Sequence, residues 1–157
     1  IGMSKTKLTK ELEMQIFYET AADRLGVYGA FEVSLGKGYG NEYVDFMTMT
    51  SSGEFRCYEI KVSKSDFHSK NKLSFHGDRN YFVMPQELYE EVKDEIPFQV
   101  GVYVYKDGKL KLVKKSSHKS VAPWERYMLT HCMVRSLSRL TTRLVKENVS
   151  ESDNKEE

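Results

Sequence analysis

The sequence has few cysteines, few prolines and no long apolar run. Of its 157 residues only two are cysteines and three are prolines. Cys57 and Cys132 have neither a Cys-x-x-Cys spacing nor paired histidines, which argues against a zinc site and against a disulfide framework. No apolar stretch approaches the roughly 20 residues that a membrane span needs, and no charged-then-apolar leader opens the chain. We therefore expect a cytoplasmic protein with reduced thiols and no membrane contact.

The charge is nearly balanced in total but unevenly distributed. The net charge is +1, yet residues 1–145 contain 22 Lys and Arg against 18 Asp and Glu, whereas residues 146–157 contain two Lys against five acids. The last stretch also lacks apolar anchors. We predict a single domain over residues 1–146, large enough for a hydrophobic core, and a disordered acidic tail over residues 147–157. The basic excess of the domain permits nucleic-acid binding without requiring it.

Two apolar segments near the middle of the chain predict a β-hairpin. Residues 41–50 and 54–62 are rich in aromatic and β-branched residues, and the short connection between them contains a glycine. Asp45 lies on the first strand, and Glu59 and Lys61 lie on the second. Because side chains alternate along a strand, Glu59 and Lys61 share a face, and the hairpin brings Asp45 close to them.

This patch places two carboxylates and one ammonium among apolar strands. Charges in such a position are costly unless they are paired or bound to a metal ion. Neighbouring carboxylates suit Mg²⁺, which keeps several waters and also takes phosphate oxygens, and a lysine beside them can orient an attacking water. The alternative is a cross-strand ion pair on a solvated face.

The other segments complete a regular order of elements. A helix is predicted before the hairpin, and a short basic helix and an apolar strand that ends at Pro85 are predicted after it. A further helix, a hairpin and a long final helix follow. The predicted ranges are 10–25 for the first helix, 28–35 for the first strand, 64–72 for the basic helix, 81–84 for the apolar strand, 86–96 for the next helix, 98–105 and 109–115 for the second hairpin, and 124–146 for the last helix.

With Asp45, Glu59-Ile60-Lys61 and the surrounding order of helix, three strands, helix and strand, residues 10–105 resemble the PD-(D/E)XK nuclease superfamily. The run from Glu59 to Phe67, together with Asp78 and residues 81–85, looks most like the MmcB-like DNA-repair branch and related proteins of phage and mobile elements. The proline often found before the aspartate is absent, since Val44 precedes Asp45. The resemblance implies an α/β fold of the restriction-endonuclease type, with a central mixed sheet flanked by helices on both faces.

The resemblance also implies an activity, a cofactor and site residues. The activity is Mg²⁺-dependent hydrolysis of DNA phosphodiester bonds by an endonuclease in DNA repair or phage DNA processing, with Mn²⁺ as a substitute ion. Asp45 and Glu59 are expected to hold the metal with the Ile60 carbonyl, and Lys61 to position the attacking water. Glu19 on the first helix is expected to join the metal shell through water, unless it is a surface carboxylate.

Further basic residues are candidates for substrate binding. Lys64, Lys70, Lys72 and Arg79 follow the predicted site in sequence and are expected to contact DNA phosphates, although a solvated basic helix is the alternative. His76 is a candidate general acid or simply a solvated loop residue. The lysines of residues 106–119 fit either phosphate binding or the protection of an edge strand.

The last helix offers a different surface. Arg135, Arg139 and Arg143 form a stripe at intervals of four residues, which we interpret as an exposed face opposite a leucine seam, and this seam could support a homodimer. A catalytically silent module that binds nucleic acid or protein on the same fold is the alternative function, and the sequence does not separate DNA from RNA as the substrate.

Overall fold

The computed structural model describes residues 5–69 and 75–155, which form one six-stranded sheet with helices on both faces. The elements in chain order are α1 (Lys7–Thr20), β1 (Val27–Ser34), β2 (Tyr43–Thr50), β3 (Phe55–Ile60), α2 (Lys64–Phe67), β4 (Arg79–Pro85), α3 (Gln86–Val92), β5 (Gly101–Lys106), β6 (Lys109–Lys114) and α4 (Pro123–Asp153), with short 3₁₀ turns at Lys37–Tyr39 and Lys93–Glu95. Among the described helices none is both long and apolar enough to cross a membrane.

The sheet follows the chain order from β1 to β6. Strands β1, β2 and β3 form an antiparallel meander, β3, β4 and β5 are parallel, and β6 returns antiparallel to β5. The predicted α/β class, the mixed sheet and the order of helix, three strands, helix and strand are therefore confirmed. A parallel pair needs a crossover connection, and here the connection from β3 to β4 carries α2.

Helix α1 covers one face of the sheet. Its buried residues Leu12 and Ile16 are one turn apart and pack against Phe46 and Tyr58 in the same apolar cluster. The helix begins at Lys7 rather than at residue 10, because the Thr6 side chain accepts a hydrogen bond from the Thr9 N–H and serves as the N-cap.

Helices α3 and α4 cover the other face. Leu129 and Met133 of α4 pack with Val44 and Met47 of β2, and a neighbouring cluster joins α3 to β4 and β5. These apolar faces are what hold the helices to the sheet, since burial of a large apolar side chain contributes about 1.5–3 kcal/mol.

An ion pair between the buried Asp78 and the half-buried Arg126 holds the start of α4 to the sheet. Asp78 accepts hydrogen bonds from the main-chain N–H groups of Phe55 at 2.7 Å and Val121 at 3.0 Å, and two further bonds come from the Arg126 guanidinium. Asp78 therefore ties β3, the segment before α4 and α4 itself together.

The predicted ends of all four helices differ from the structure. Helix α1 ends at Thr20 rather than at residue 25, and α3 ends at Val92, where a 3₁₀ turn replaces the predicted helix up to residue 96. Helix α2 is only Lys64–Phe67 and does not continue through residue 72, and residues 70–74 lie outside the described part of the chain. Helix α4 continues to Asp153, so residues 147–153 are helical rather than a disordered tail. The sequence after residue 123 contains neither glycine nor proline to stop a helix, and that signal outweighs the lack of apolar anchors.

Candidate metal and nucleic-acid site

Asp45 and Glu59 lie where the β2–β3 ladder ends. The pairing runs from Met49 opposite Phe55 to Phe46 opposite Tyr58. Asp45 and Glu59 are the next opposite positions, and their carboxyl groups lie close enough for Glu59 to affect the pKa of Asp45. In place of a further ladder bond, the Ile60 N–H donates to Asp45 Oδ2 at 2.8 Å.

The β1–β2 hairpin changes faces at the same point. Phe31 and Phe46 pack on the α1 side of the sheet, whereas Val33 and Val44, two positions away on their strands, pack on the α4 side. Residues two apart on a regular strand share a face, so the alternation is broken between them. Glu32 has a φ of 49° there, a backbone conformation that is uncommon outside glycine. Asp45 is therefore accessible at the border between the two layers of helices.

Glu59 and Lys61 are each only 5% exposed. The Lys61 ammonium donates to the Asp66 main-chain oxygen at 3.2 Å and lies 3.9 Å from Asp66 Oδ1. Asp66 also accepts from the Val62 N–H at 3.0 Å, and its own N–H donates to the side chain of Ser63, the N-cap of α2. The predicted proximity of Asp45, Glu59 and Lys61 is confirmed, and all three line one cavity.

This cavity, which we call the carboxylate cavity, has a volume of about 610 Å³. It is formed by the hairpin, the N-terminal half of α1, the segment before β2 and the start of α2. Its lining residues include, besides the three predicted ones, Lys5, Thr9, Glu13, Asn41, Glu42, Tyr43, Ile60 and Asp66.

Burial raises the pKa of Asp45 above its usual range. The Ile60 N–H, the Glu59 side chain and the positive charges of Lys61 and Lys5 act in the opposite direction but do not cancel the effect of burial. A raised pKa in a cavity is typical of functional carboxylates.

The side chains fit a hard divalent cation that keeps part of its water shell. Two ionised carboxyl groups that lie close together repel each other, and a proton or a cation between them relieves that repulsion. Within residues 5–69 and 75–155 no group of three or more His, Cys, Asp and Glu side chains is arranged to hold a metal ion. Such a donor set does not enclose an ion, but Mg²⁺ is commonly bound by one or two carboxylates with water and substrate oxygens completing its octahedron.

The α1 glutamate at the cavity is Glu13 rather than Glu19. Glu19 is exposed and lies close to Tyr103 of β5, two strands away from Glu59. Glu13 is six residues earlier, about 9 Å back along the helix axis, and it lines the cavity in an ion pair with Lys5. Both glutamates border the apolar face of α1, so helical periodicity alone does not separate them.

The residues predicted to bind phosphate, as far as the structure describes them, do not lie together. Lys64 is exposed at the start of α2, close in sequence to Lys61, whereas Lys70 and Lys72 lie outside the described residues. Arg79 does not line the cavity. It pairs with Arg56 at the other end of β3 and is held by Glu54 at 3.1 Å and the Ser116 main-chain oxygen at 3.0 Å. Arg79 is therefore not part of the carboxylate cavity, and its role in nucleic-acid binding stays a prediction.

His76 is part of a structural cluster beside the cavity. Its Nε2 lies 3.0 Å from Glu42 Oε2, its Nδ1 lies 3.6 Å from Glu125 Oε1, and its ring packs edge-on against Tyr39. His76 itself does not line the cavity, although Glu42 does. These contacts link the segment before β2 to α4, which favours a positioning role over the predicted role of general acid.

Comparison with known proteins gives the fold but no activity. No protein-family model and no curated protein matches the chain. The fold is similar to that of a protein of unknown function from Silicibacter pomeroyi, with a TM-score of 0.72 and 18% sequence identity over 92% of this chain and 96% of that one. At this identity the likeness shows a shared architecture alone.

Sequence reasoning missed Lys5, Glu13 and Glu42. For Glu13 the topology carries a usable signal. The connection of residues 21–26 between α1 and β1 is short, so the end of α1 lies near the start of β1, and the N-terminal half of α1 lies near the end of β1. That end adjoins the start of β2, which carries Asp45. Lys5 and Glu42 lie outside the regular elements and have no comparable signal.

Proposed function

We propose that this protein is a Mg²⁺-dependent deoxyribonuclease of the PD-(D/E)XK type. The observation that carries the proposal is that Asp45 and Glu59 take opposite positions at the end of the hairpin and line one cavity with the buried Lys61 ammonium. The order of elements around these residues is the one that the resemblance requires.

The roles follow from the positions of the side chains. Asp45 and Glu59 would hold the ion with the Ile60 carbonyl, and a divalent cation there supplies Lewis-acid stabilisation of the scissile phosphate and the leaving 3′-oxygen. Lys61 is fixed by Asp66, so its ammonium can hold the attacking water and balance negative charge that develops on the phosphate. Burial of Glu59 and Lys61 keeps these groups from rearranging before substrate binds.

Glu13 takes the place that the resemblance assigns to Glu19. It reaches the carboxylate cavity from α1, and its partner Lys5 lines the same cavity. In this position Glu13 can accept a hydrogen bond from water bound to the ion, which is the role expected for a helix glutamate in the superfamily.

Cleavage of a substrate panel tests the proposal. The purified protein is incubated with duplex, nicked, flapped, branched and single-stranded DNA and with RNA, in Mg²⁺, Mn²⁺ or EDTA. We expect metal-dependent cleavage of DNA that falls at least 100-fold in Asp45→Asn and Glu59→Gln. Asp107→Asn is the matched control, because Asp107 lies in the exposed β5–β6 turn away from the cavity. Absence of cleavage on every substrate, or full activity in Asp45→Asn, would refute the proposal.

Lys61→Met separates chemistry from metal binding. The methionine fills a similar volume but cannot hold water by an ammonium, so we expect lost cleavage with Mn²⁺ binding retained in calorimetry. A catalytically silent binding module, the alternative function, predicts that neither the parent chain nor any variant cleaves while nucleic acid or protein is still bound.

A further inference from the structure

A second cavity adjoins the carboxylate cavity. It has a volume of about 500 Å³ and lies between the end of β1, the start of β2 and α4. Lys5, Glu13 and Tyr43 line both cavities. The two spaces therefore form one groove that leads from Asp45 and Glu59 to α4.

The wall that α4 gives to this groove is fixed to the sheet. Arg135 donates from Nη2 to the Ser34 main-chain oxygen at 2.8 Å, and Ser136 donates from Oγ to the Phe31 main-chain oxygen at 3.1 Å. These two bonds seat one turn of α4 on the end of β1. The arginines one and two turns further on, Arg139 and Arg143, line the same cavity.

The positive charge of this wall is not neutralised by its surroundings. The carboxylates that line the second cavity are Glu13 and Glu32, which share Lys5 as their partner. With Lys5 and the three arginines, the lining has four positive charges against two negative ones. Arg139 and Arg143 are exposed, and neither forms an ion pair with any other residue that the structure describes. Two guanidinium groups are therefore available in the groove for an anion from outside.

The spacing of the arginines suits a repeating anion. Residues four apart on a helix are separated by a rise of about 6 Å, which is comparable with the separation of successive phosphates along a nucleic-acid strand. Tyr43 is 58% exposed and lies where the two cavities meet. A base or a sugar can pack against its ring. A guanidinium fork also matches phosphate geometry better than an ammonium does.

We infer that the arginine-lined part of the groove, formed by Arg135, Arg139 and Arg143 of α4, binds the phosphodiester backbone of DNA beside the bond that is cleaved. This inference rests on the proposed function and extends it to the residues that hold the substrate. Arg139 and Arg143 bind phosphates directly, whereas Arg135 fixes the helix. Contacts of this kind position a strand without reading its bases, so binding is nearly independent of sequence.

Substitution of the two exposed arginines tests the inference. Arg139→Gln/Arg143→Gln is compared with Lys109→Gln/Lys111→Gln, which removes the same charge from exposed positions on β6. These lysines, the other candidates for phosphate binding, lie outside both cavities and at the opposite edge of the sheet from β1. Affinity for two unrelated duplexes is measured by fluorescence anisotropy between low and moderate salt, in the cleavage-deficient Lys61→Met background. Kinetics are measured in the parent background.

We expect the arginine pair to weaken both duplexes about equally, at least tenfold, and to lower the salt slope by about two units, one for each lost phosphate contact. KM should rise while kcat at saturating DNA stays within about twofold, and Arg139→Lys/Arg143→Lys should recover part of the affinity. The lysine pair should change affinity less than threefold.

The outcomes separate this inference from the proposed function. If the parent chain cleaves and binds DNA but the arginine pair behaves like the parent, or if both pairs weaken binding equally, the groove is not the binding surface and the nuclease proposal stands. If the parent chain neither binds nor cleaves DNA, the proposed function fails and the inference fails with it.

Discussion

The buried Asp78 and the half-buried Asp45 show how the surroundings of a residue separate a functional role from a structural one. At Asp78 burial acts to raise the pKa, but hydrogen bonds from Arg126 and from the Phe55 and Val121 N–H groups outweigh it and lower the pKa to about 2. At Asp45 the pKa is raised because the opposing interactions are too weak to cancel burial. Asp78 is thus stabilised as a carboxylate, whereas burial makes the ionisation of Asp45 less favourable than that of an exposed aspartate.

The Asp78 interactions make a prediction for stability against pH. Asp78→Asn removes the charge that pairs with Arg126, and we expect a loss of about 2 kcal/mol in the free energy of unfolding at pH 7. A carboxyl group whose pKa is lower in the folded state stabilises the fold at pH values above its unfolded-state pKa, which is 3.8 for Asp78. This stabilisation is lost as the pH falls through the folded-state pKa of about 2. The difference between parent and variant should therefore shrink between about pH 4 and pH 2.

Urea unfolding at a series of pH values checks this prediction. Asp107→Asn, in an exposed turn, is the control and should leave the free energy of unfolding nearly unchanged at every pH. A difference between parent and Asp78→Asn that stays constant from pH 7 to pH 2 would contradict the account of Asp78.

At the scale of elements, the hairpin was predictable and the helix register was not. Asp45, Glu59 and Lys61 could be placed together because strand alternation and antiparallel pairing fix which side chains meet. Helix α1 is different, since Glu13 and Glu19 both border its apolar face. The choice between the two glutamates depends on the direction in which α1 crosses the sheet, and the helical periodicity of the sequence does not determine that direction.

The same helix provides a matched pair of variants. Glu13→Gln should reduce metal-dependent cleavage at least tenfold, because Glu13 lines the carboxylate cavity, whereas Glu19→Gln should leave cleavage within about twofold. Mn²⁺ affinity measured by calorimetry should fall in Glu13→Gln alone. Equal activity of the two variants would show that α1 supplies no functional carboxylate.

Local signals also explain the other differences between elements. The Ser63 cap correctly sets the start of α2, but the basic residues after it do not continue the helix past Phe67. Helix α4 continues to Asp153 despite its polar sequence, because no glycine or proline follows Pro123 to end it. The hairpin's change of faces at Glu32 and Asp45 was not predictable, because it depends on a left-handed backbone at a residue other than glycine.

At the scale of the whole molecule, the sequence predicts the architecture better than it predicts the surface that would bind substrate. The order of elements predicted the sheet and its two layers of helices, and the same architecture occurs in the Silicibacter pomeroyi protein at 18% identity. From the sequence alone, the arginines of α4 are interpreted as an exposed face opposite the leucine seam. They lie far from Asp45 in sequence, so nothing in the sequence indicates the groove that connects them to Asp45. Leu140 and Leu144 of that seam are exposed, and the homodimer stays a prediction.

The proposed nuclease activity depends on a divalent cation that Asp45 and Glu59 hold together. Crystals of the protein soaked in Mn²⁺ and measured at the manganese absorption edge would locate this ion. We expect an anomalous peak in the carboxylate cavity, about 2 Å from an oxygen of each carboxylate, and no peak in crystals of Asp45→Asn. A well-occupied peak elsewhere on the molecule, or no peak between Asp45 and Glu59 at millimolar Mn²⁺, would show that these two residues do not form the metal site.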